Sequence, residues 1–286
     1  MPSLPHLLPA LVTPFDKSGE VDLEAHRHNL TNLWARGIKG FVIAGSTGEG
    51  PYLEPGERRS LLAAARQALG KQAYLMCGIN AETVRQAQGL IAEAAAGEAD
   101  AVLVITPTTL ARNRVPYVES FYTTLANDAP LPLFLYSVPS VTAFELPDES
   151  VARLAAHPNI VGIKDSGGHP VRLQRIVATV DGDFRIFTGS TQAVTLALAA
   201  GAHGAITAST NYMPERLNET LTAARRNAAT ARPLQQQISR ISSAIEAYGI
   251  PGVKAMAAHA GLRPGWPRLP LEPLPQADAD RLAALL

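Results

Sequence analysis

Three short stretches carry residues able to do chemistry, and each closes an apolar run: Ser46 and Thr47 in "GFVIAGSTGEG", Tyr136 in "LPLFLY", and Lys164 in "NIVGIKDSGG". Lysine keeps its head in water almost everywhere, so a lysine aligned with an apolar strand calls for a reason. Side chains alternate across a strand, which puts Ile160, Gly162 and Lys164 on one face and Val161 and Ile163 on the other. A helix covering Val161 and Ile163 would turn Gly162 and Lys164 inward. There desolvation lowers the pKa of an ammonium and frees the amine to attack a ketone and form a Schiff base. The same pattern also fits a Lys164 that ends its strand in solvent, paired with Asp165.

Tyr136 shares a face with Phe134, and a phenol at a strand end can move protons. It can equally be a core aromatic whose hydroxyl meets the backbone. In "GSTGE" two hydroxyls sit among glycines, whose permissive backbone can expose N–H groups to a small anion such as a carboxylate. An ordinary βα turn has the same composition. Glu49 reads either as a base or as a first-turn residue suited to a helix dipole. The seven histidines are scattered; His26 and His28 lie two apart on a predicted helix and face different ways. With no H-x-x-x-H and no Cys/His cluster, metal ligation is not expected. Cys77 ends the third apolar run, and the expectation is a buried, inert thiol.

These residues need elements to position them. Apolar runs recur at 7–13, 40–45, 72–78, 101–106, 131–136, 159–164, 184–189 and 204–207, and stretches with helical spacing separate them. Continuous apolar strands alternating with amphipathic helices predict a parallel sheet covered by helices. Eight such units over about 200 residues match a (β/α)8 TIM barrel. A doubly wound sheet is the alternative, but no run is followed by the glycine fingerprint of a dinucleotide site. In a barrel the active site lies at the C-terminal strand ends, where Ser46, Tyr136 and Lys164 fall. Asp22, Pro55 and "PDES" mark helix starts. Beyond 213 the strand pattern stops, and 214–249 reads as two helices split near Pro233, followed by more helix at 251–262 and in the last ten residues. The expected organisation is a barrel over 1–212 and a helical C-terminal extension over 213–286.

The 286 residues balance 25 basic against 25 acidic side chains, which gives no electrostatic reason to expect nucleic acid or an anionic membrane as partner. A small metabolite fits better. One cysteine excludes an intrachain disulfide and suits a reducing compartment. The N-terminal stretch lacks a basic n-region, and the long apolar stretches are broken well short of a membrane span. The expectation is a soluble, cytoplasmic protein.

Taken in order and spacing, "LVTPF" (11–15), "GSTGE" (45–49), "LYSVP" (135–139), "GIKDSGG" (162–168), "GAHGAI" (201–206) and "GIPGVKAM" (249–256) resemble the dihydrodipicolinate synthase / N-acetylneuraminate lyase family of class I aldolases. The resemblance spans nearly the whole chain. It implies a TIM barrel, usually a homotetramer, that uses pyruvate or a related 2-oxo acid with no metal and no organic cofactor. Residue by residue, it implies Lys164 as the Schiff-base lysine, Tyr136 as proton donor and acceptor, and Ser46 with Thr47 as the pair holding the pyruvate carboxylate. Ser46 would also pass protons to Tyr136. Gly189 matches a glycine near the imine, and Ile206 a residue whose carbonyl lines the pocket.

Three departures qualify it. Synthases of the family carry an arginine for the aldehyde substrate's carboxylate where this chain has Val141. Sialic acid lyases carry acidic residues where it has "GSTQ" (189–192). The usual tyrosine pair of a "TPYY"-like motif is replaced by Thr108 and Thr109, followed by Arg112 and Arg114, which could attract an acidic substrate or simply be solvated. Local wording is most similar to 4-hydroxy-2-oxoglutarate aldolases. The implied activity is cleavage of a 2-oxo-4-hydroxy acid, such as 4-hydroxy-2-oxoglutarate or a 2-keto-3-deoxy sugar acid, to pyruvate and an aldehyde. Alternatives are a 2-keto-3-deoxy sugar acid dehydratase, a dihydrodipicolinate-synthase-like condensing enzyme, and a non-catalytic 2-oxo-acid binder.

Overall fold

The computed structural model describes residues 2–286. Strand β1 (Leu7–Pro9) is followed by α1 (Leu23–Ala35), β2 (Gly40–Ile43) by α2 (Glu57–Leu69), β3 (Tyr74–Ile79) by α3 (Val84–Ala96), and β4 (Ala101–Ile105) by α4 (Val115–Asp128). In the second half β5 (Leu133–Ser137) leads to α5 (Pro139–Thr142) and α6 (Asp148–Ala155), and β6 (Ile160–Asp165) to α7 (Pro170–Thr179). Then β7 (Arg185–Thr188) leads to α8 (Val194–Ala199) and β8 (Gly204–Thr207) to α9 (Pro214–Arg226), with α10 (Ala228–Glu246), α11 (Gly249–His259) and α12 (Gln276–Ala283) following.

Neighbouring strands pair in parallel in the order β1-β8-β7-β6-β5-β4-β3-β2. A bridge between Ala10 and Val42, with the Leu11 N–H donating to the Val42 carbonyl at 2.9 Å, closes the ring. The expected (β/α)8 barrel is therefore what the chain forms. No helix among the described residues is long and apolar enough to cross a membrane.

Alternation along each strand splits the core in two. Leu8, Met76, Leu103, Phe134, Phe187 and Ile206 fill the barrel interior, while Ile43, Leu75, Val104, Leu135 and Ile163 face outward into the layer shared with the helices. Each large aliphatic side chain so buried contributes roughly 1.5–3 kcal/mol. The outward layer also takes Cys77. Tyr122 of α4 is fully buried there, and its hydroxyl donates to the Val104 carbonyl at 2.9 Å, so its polar tip is satisfied.

Strand β6 departs from strict alternation. Its register against β5 slips between Leu133 and Phe134: Leu133 pairs with Ile160, but Phe134 pairs with Gly162. One extra residue on β6 reverses the faces on one side of the irregularity. Ile160 accordingly joins the outer layer and half-buried Val161 packs against the interior cluster, the reverse of the expected assignment for both. Past the slip the expectation holds. Ile163 faces out, and Gly162 faces in, where a Cβ would lie 2.4 Å from the Phe134 ring.

Two helix boundaries also differ from expectation. The Asn227 side chain accepts the Ala229 N–H at 2.8 Å and starts α10 there, so Pro233 does not divide the helices. It lies in the second turn of α10, where it forgoes one backbone bond rather than ending the helix. Asp148 heads α6 but is spent on Arg172 and Arg175 instead of capping. Asp22 does cap α1, accepting the Ala25 N–H at 2.9 Å.

Candidate active site

Parallel pairing of β5 with β6 sets Tyr136 beside Lys164 at the C-terminal end of the barrel. Both are buried, 6% and 5% exposed, and the Lys164 Nζ donates to the Tyr136 hydroxyl at 3.2 Å while lying 4.3 Å from the centre of its ring. Burial pushes the phenol pKa up, but the adjacent Lys164 charge, its hydrogen bond, and the Ser46 and Ser166 hydroxyls together outweigh it. The net result is a tyrosine below its ordinary value. Asp165 does not partner Lys164. It accepts from Arg172 Nε at 2.9 Å, and Arg172 also reaches Asp148 and the Leu146 carbonyl. This buried cluster anchors the chain immediately after Lys164, and removing one charge from such a cluster costs roughly 3–5 kcal/mol.

The loop after β2 holds two non-glycine residues in the left-handed region, Ala44 (φ 58°) and Glu49 (φ 56°). Such residues cost of order 1 kcal/mol each and persist only where surroundings enforce them. Glu49 is held by a buried ion pair: its Oε1 lies 2.6 Å from Lys254 Nζ of α11, and its other oxygen accepts the Arg268 N–H at 2.8 Å. Glu49 is thus a brace for the loop, neither a base facing the lysine nor a helix-dipole ornament. Between these points Ser46 and Thr47 present hydroxyls, and the amides of Thr47 and Gly48 donate to no backbone acceptor among the described residues. Ser46 Oγ is buried and completes no hydrogen bond of good geometry to the protein. Backbone amides and hydroxyls left without protein partners are the kind of groups from which anion-binding concavities are built.

Lys164, Tyr136, Ser46 and Thr47 line one cavity of about 340 Å³, with Gly189 beside the lysine stem. A Cβ on Gly189 would lie 3.0 Å from Lys164 Cε and 1.9 Å from Ser166 Oγ, so the close approach demands glycine. Ile206 lies deeper, in the barrel interior, and Ala208 lines the cavity instead. The C-terminal end of α10 and the start of α11 cover the opening with Glu246, Gly249, Ile250 and Val253.

Among the lining residues not anticipated from the sequence are Ser166 and Glu246. Ser166 stands two residues after Lys164, and continued strand alternation could have flagged it. Glu246 comes from a helix beyond the barrel strands, and no local pattern marks it. Burial pushes its carboxyl up to about 7, against the opposing hydrogen bonds from Thr191 and Tyr212 and the Lys164 charge.

The remaining candidates fall elsewhere. Thr108 and Thr109 together grip the Glu82 carboxylate through both amides and both hydroxyls, and neither lines the Lys164 cavity. Arg112 and Arg114 are exposed and do not line the Lys164 cavity. Val141 does line it. Cys77 is buried outside the barrel interior, and burial pushes its thiol up to about 12. His26 is buried, and desolvation holds its pKa down to about 4. Among the described residues no three His, Cys, Asp or Glu side chains converge as metal ligands.

Comparison with known proteins identifies the chain's relatives. The Dihydrodipicolinate synthetase family model matches residues 3–286. A 4-hydroxy-tetrahydrodipicolinate synthase of Xanthomonas axonopodis pv. citri is 34% identical over 99% of this chain and 94% of its own length. One from Methanoculleus marisnigri is 33% identical over 98% and 97%. Among solved structures, the dihydrodipicolinate synthase DapA-2 of Bacillus anthracis superposes with a TM-score of 0.94 at 26% identity, covering 100% of this chain and 98% of that one. YagE, a family protein of E. coli K12 solved in complex with pyruvate, superposes with 0.91 at 25% identity, covering 98% and 96%. A 340 Å³ barrel-end cavity built around a buried lysine and tyrosine, with a family match running the length of the chain, has one reading: the protein belongs to the dihydrodipicolinate synthetase family.

Proposed function

We propose that the protein is a Schiff-base, pyruvate-forming aldolase that cleaves a 2-oxo-4-hydroxy acid. The observation that carries this reading is the buried Lys164 Nζ, 3.2 Å from the Tyr136 hydroxyl, in the cavity that also holds the Ser46–Thr47 loop. The substrate carboxylate binds the hydroxyls and free amides of that loop. Lys164 attacks the C2 ketone, and loss of water gives an iminium, which is an electron sink. Tyr136, with its lowered pKa, takes the C4 hydroxyl proton as the C3–C4 bond breaks. The bond's electron pair moves to the iminium, leaving an aldehyde and an enamine of pyruvate. Tyr136 returns the proton to C3, and water hydrolyses the new iminium to pyruvate and free Lys164. No tyrosine from this chain's 108–109 segment reaches the site, so Ser46 and Ser166, which act on Tyr136, are the proposed proton path.

The names of the relatives favour a second reading, condensation of pyruvate with an aldehyde rather than cleavage. Product analysis decides between them. Incubation with 2-oxo-4-hydroxy acids should release pyruvate and an aldehyde in equal amounts. A single unsplit dicarbonyl product would identify a dehydratase, and no turnover without an added aldehyde would favour the synthase. A homo-oligomer is part of the proposal.

A further inference from the structure

Apart from Lys164, the wall of the cavity carries no cationic side chain. Once the pyruvyl carboxylate has taken the Ser46–Thr47 loop, the polar wall left for the rest of a substrate includes Ser140, Ser190, Gln192 and Glu246, with Val141 and Ile250 among the apolar side chains beside them. The polar groups are hydroxyls, an amide and a carboxyl. A chain ending in a second carboxylate would meet a carboxyl group there and no arginine or lysine.

Glu246 is anchored through one carboxyl oxygen only. Its Oε1 takes two long hydrogen bonds, from Thr191 Oγ1 at 3.4 Å and the Tyr212 hydroxyl at 3.5 Å. Thr191 is itself tied to Ser209 Oγ at 2.6 Å, which fixes the support from behind. Its Oε2 accepts no hydrogen bond from the protein among the described residues. Gln192 is braced in the same way: its Nε2 donates to Ser242 and Ser243, and its Oε1 accepts from Ser190 Oγ. Two polar groups anchored at the back, with a free carboxyl oxygen beside the cavity, form a site for groups that both donate and accept.

We infer that Glu246 selects the aldehyde half of the substrate, taking a hydroxyl of an uncharged polyhydroxylated chain, as in 2-keto-3-deoxy sugar acids, and turning away a chain that ends in a second carboxylate. This deepens the reading of Lys164 as a Schiff-base nucleophile and rests on it. A hydroxyl can donate to a carboxylate or accept from a carboxylic acid, so it pairs with Glu246 in either state. That versatility counts because burial pushes this carboxyl up to about 7, with Lys164, Thr191 and Tyr212 the groups facing it. A substrate carboxylate only accepts, and it meets electrostatic repulsion whenever Glu246 is ionised. Sites that hydrogen-bond a substrate group discriminate strongly against analogues that leave them unpaired.

The test is kcat/KM for pyruvate release from 2-keto-3-deoxygluconate and from 4-hydroxy-2-oxoglutarate, in the wild type and in Glu246→Gln. The wild type is expected to favour the sugar acid by about ten-fold or more, and the variant to cut that ratio by about ten-fold through a higher KM for the sugar acid. A folding defect lowers both rates together and leaves the ratio intact. A wild type that prefers the dicarboxylate, or an unchanged ratio in the variant, overturns the inference. Trapping wild-type protein with pyruvate and borohydride separates the two levels. An adduct with neither acid cleaved overturns the role of Glu246 alone, whereas no adduct overturns the Schiff-base reading and the inference with it.

Discussion

Replacing Gly189 with alanine tests the lysine's surroundings without touching the lysine. The added Cβ would lie 1.9 Å from Ser166 Oγ, 2.9 Å from Ser166 Cβ and 3.0 Å from Lys164 Cε. Rotation of the Ser166 hydroxyl relieves the first contact, at the loss of its part in lowering the Tyr136 pKa. The other two require movement: ordinary contact begins near 3.4 Å, so the lysine stem must retreat by about 0.4 Å and the Ser166 backbone by about 0.5 Å. Gly189 does not occupy the left-handed region, so the penalty is steric overpacking, about 1–3 kcal/mol. At about 2–4 °C per kcal/mol for a chain of this class, Tm should fall by about 2–12 °C, and the protein stays folded at 25 °C. A misplacement of about 1 Å at a reacting group costs roughly 100-fold, so a shift of several tenths should slow adduct formation by about 10-fold or more. The assay follows the borohydride-trapped fraction against time at saturating pyruvate by intact mass, alongside a thermal melt by circular dichroism. A Gly189→Ala protein that forms the adduct at the wild-type rate would refute the placement of Lys164 against Gly189.

Tyr136→Phe keeps the ring and removes the proton carrier, so cleavage should slow by about 100-fold or more. In the wild type, activity should rise with pH through a pKa below the ordinary tyrosine value, because the phenolate is the base; a profile with no such limb would contradict the assignment. Glu49→Gln leaves Lys254 buried without its carboxylate and should cost about 3 kcal/mol, seen as a lower denaturation midpoint, together with lost pyruvate trapping as the 44–49 loop relaxes. An unchanged midpoint would remove the brace from the account. Glu246 gives a pH signature of its own. Its folded pKa of about 7 lies above the ordinary 4.5, so its contribution is full below 4.5 and lost as pH rises through 7. The difference is worth about 3 kcal/mol, so the stability of Glu246→Gln relative to wild type should improve between pH 5 and pH 8, and parallel pH curves would contradict the burial argument.

Much of this architecture is readable from single strands. The barrel follows from apolar runs that alternate with amphipathic helices, and Ser46, Tyr136 and Lys164 stand out because each ends such a run. Gly162 could be read as interior space because its neighbour Lys164 shares its face. What escaped reading depends on contacts between distant segments. The slip between Leu133 and Phe134 turns Ile160 outward and Val161 inward, and neither residue type announces it. Glu49 becomes a brace only because α11 brings Lys254 to it. Glu246 reaches the cavity only because the fold brings the C-terminal end of α10 to it, so nothing near it in the chain marks it as a site residue. Pro233 looks like a helix boundary until Asn227 supplies a better one six residues earlier.

The central claim is that Lys164 forms an iminium with a 2-oxo acid. Wild-type protein incubated with pyruvate and borohydride, then measured by intact mass and peptide mapping, should gain the mass of one pyruvic acid less one oxygen atom, located on Lys164. The Lys164→Ala protein should gain nothing. No adduct on the wild type, or an adduct that persists in Lys164→Ala, would contradict the account.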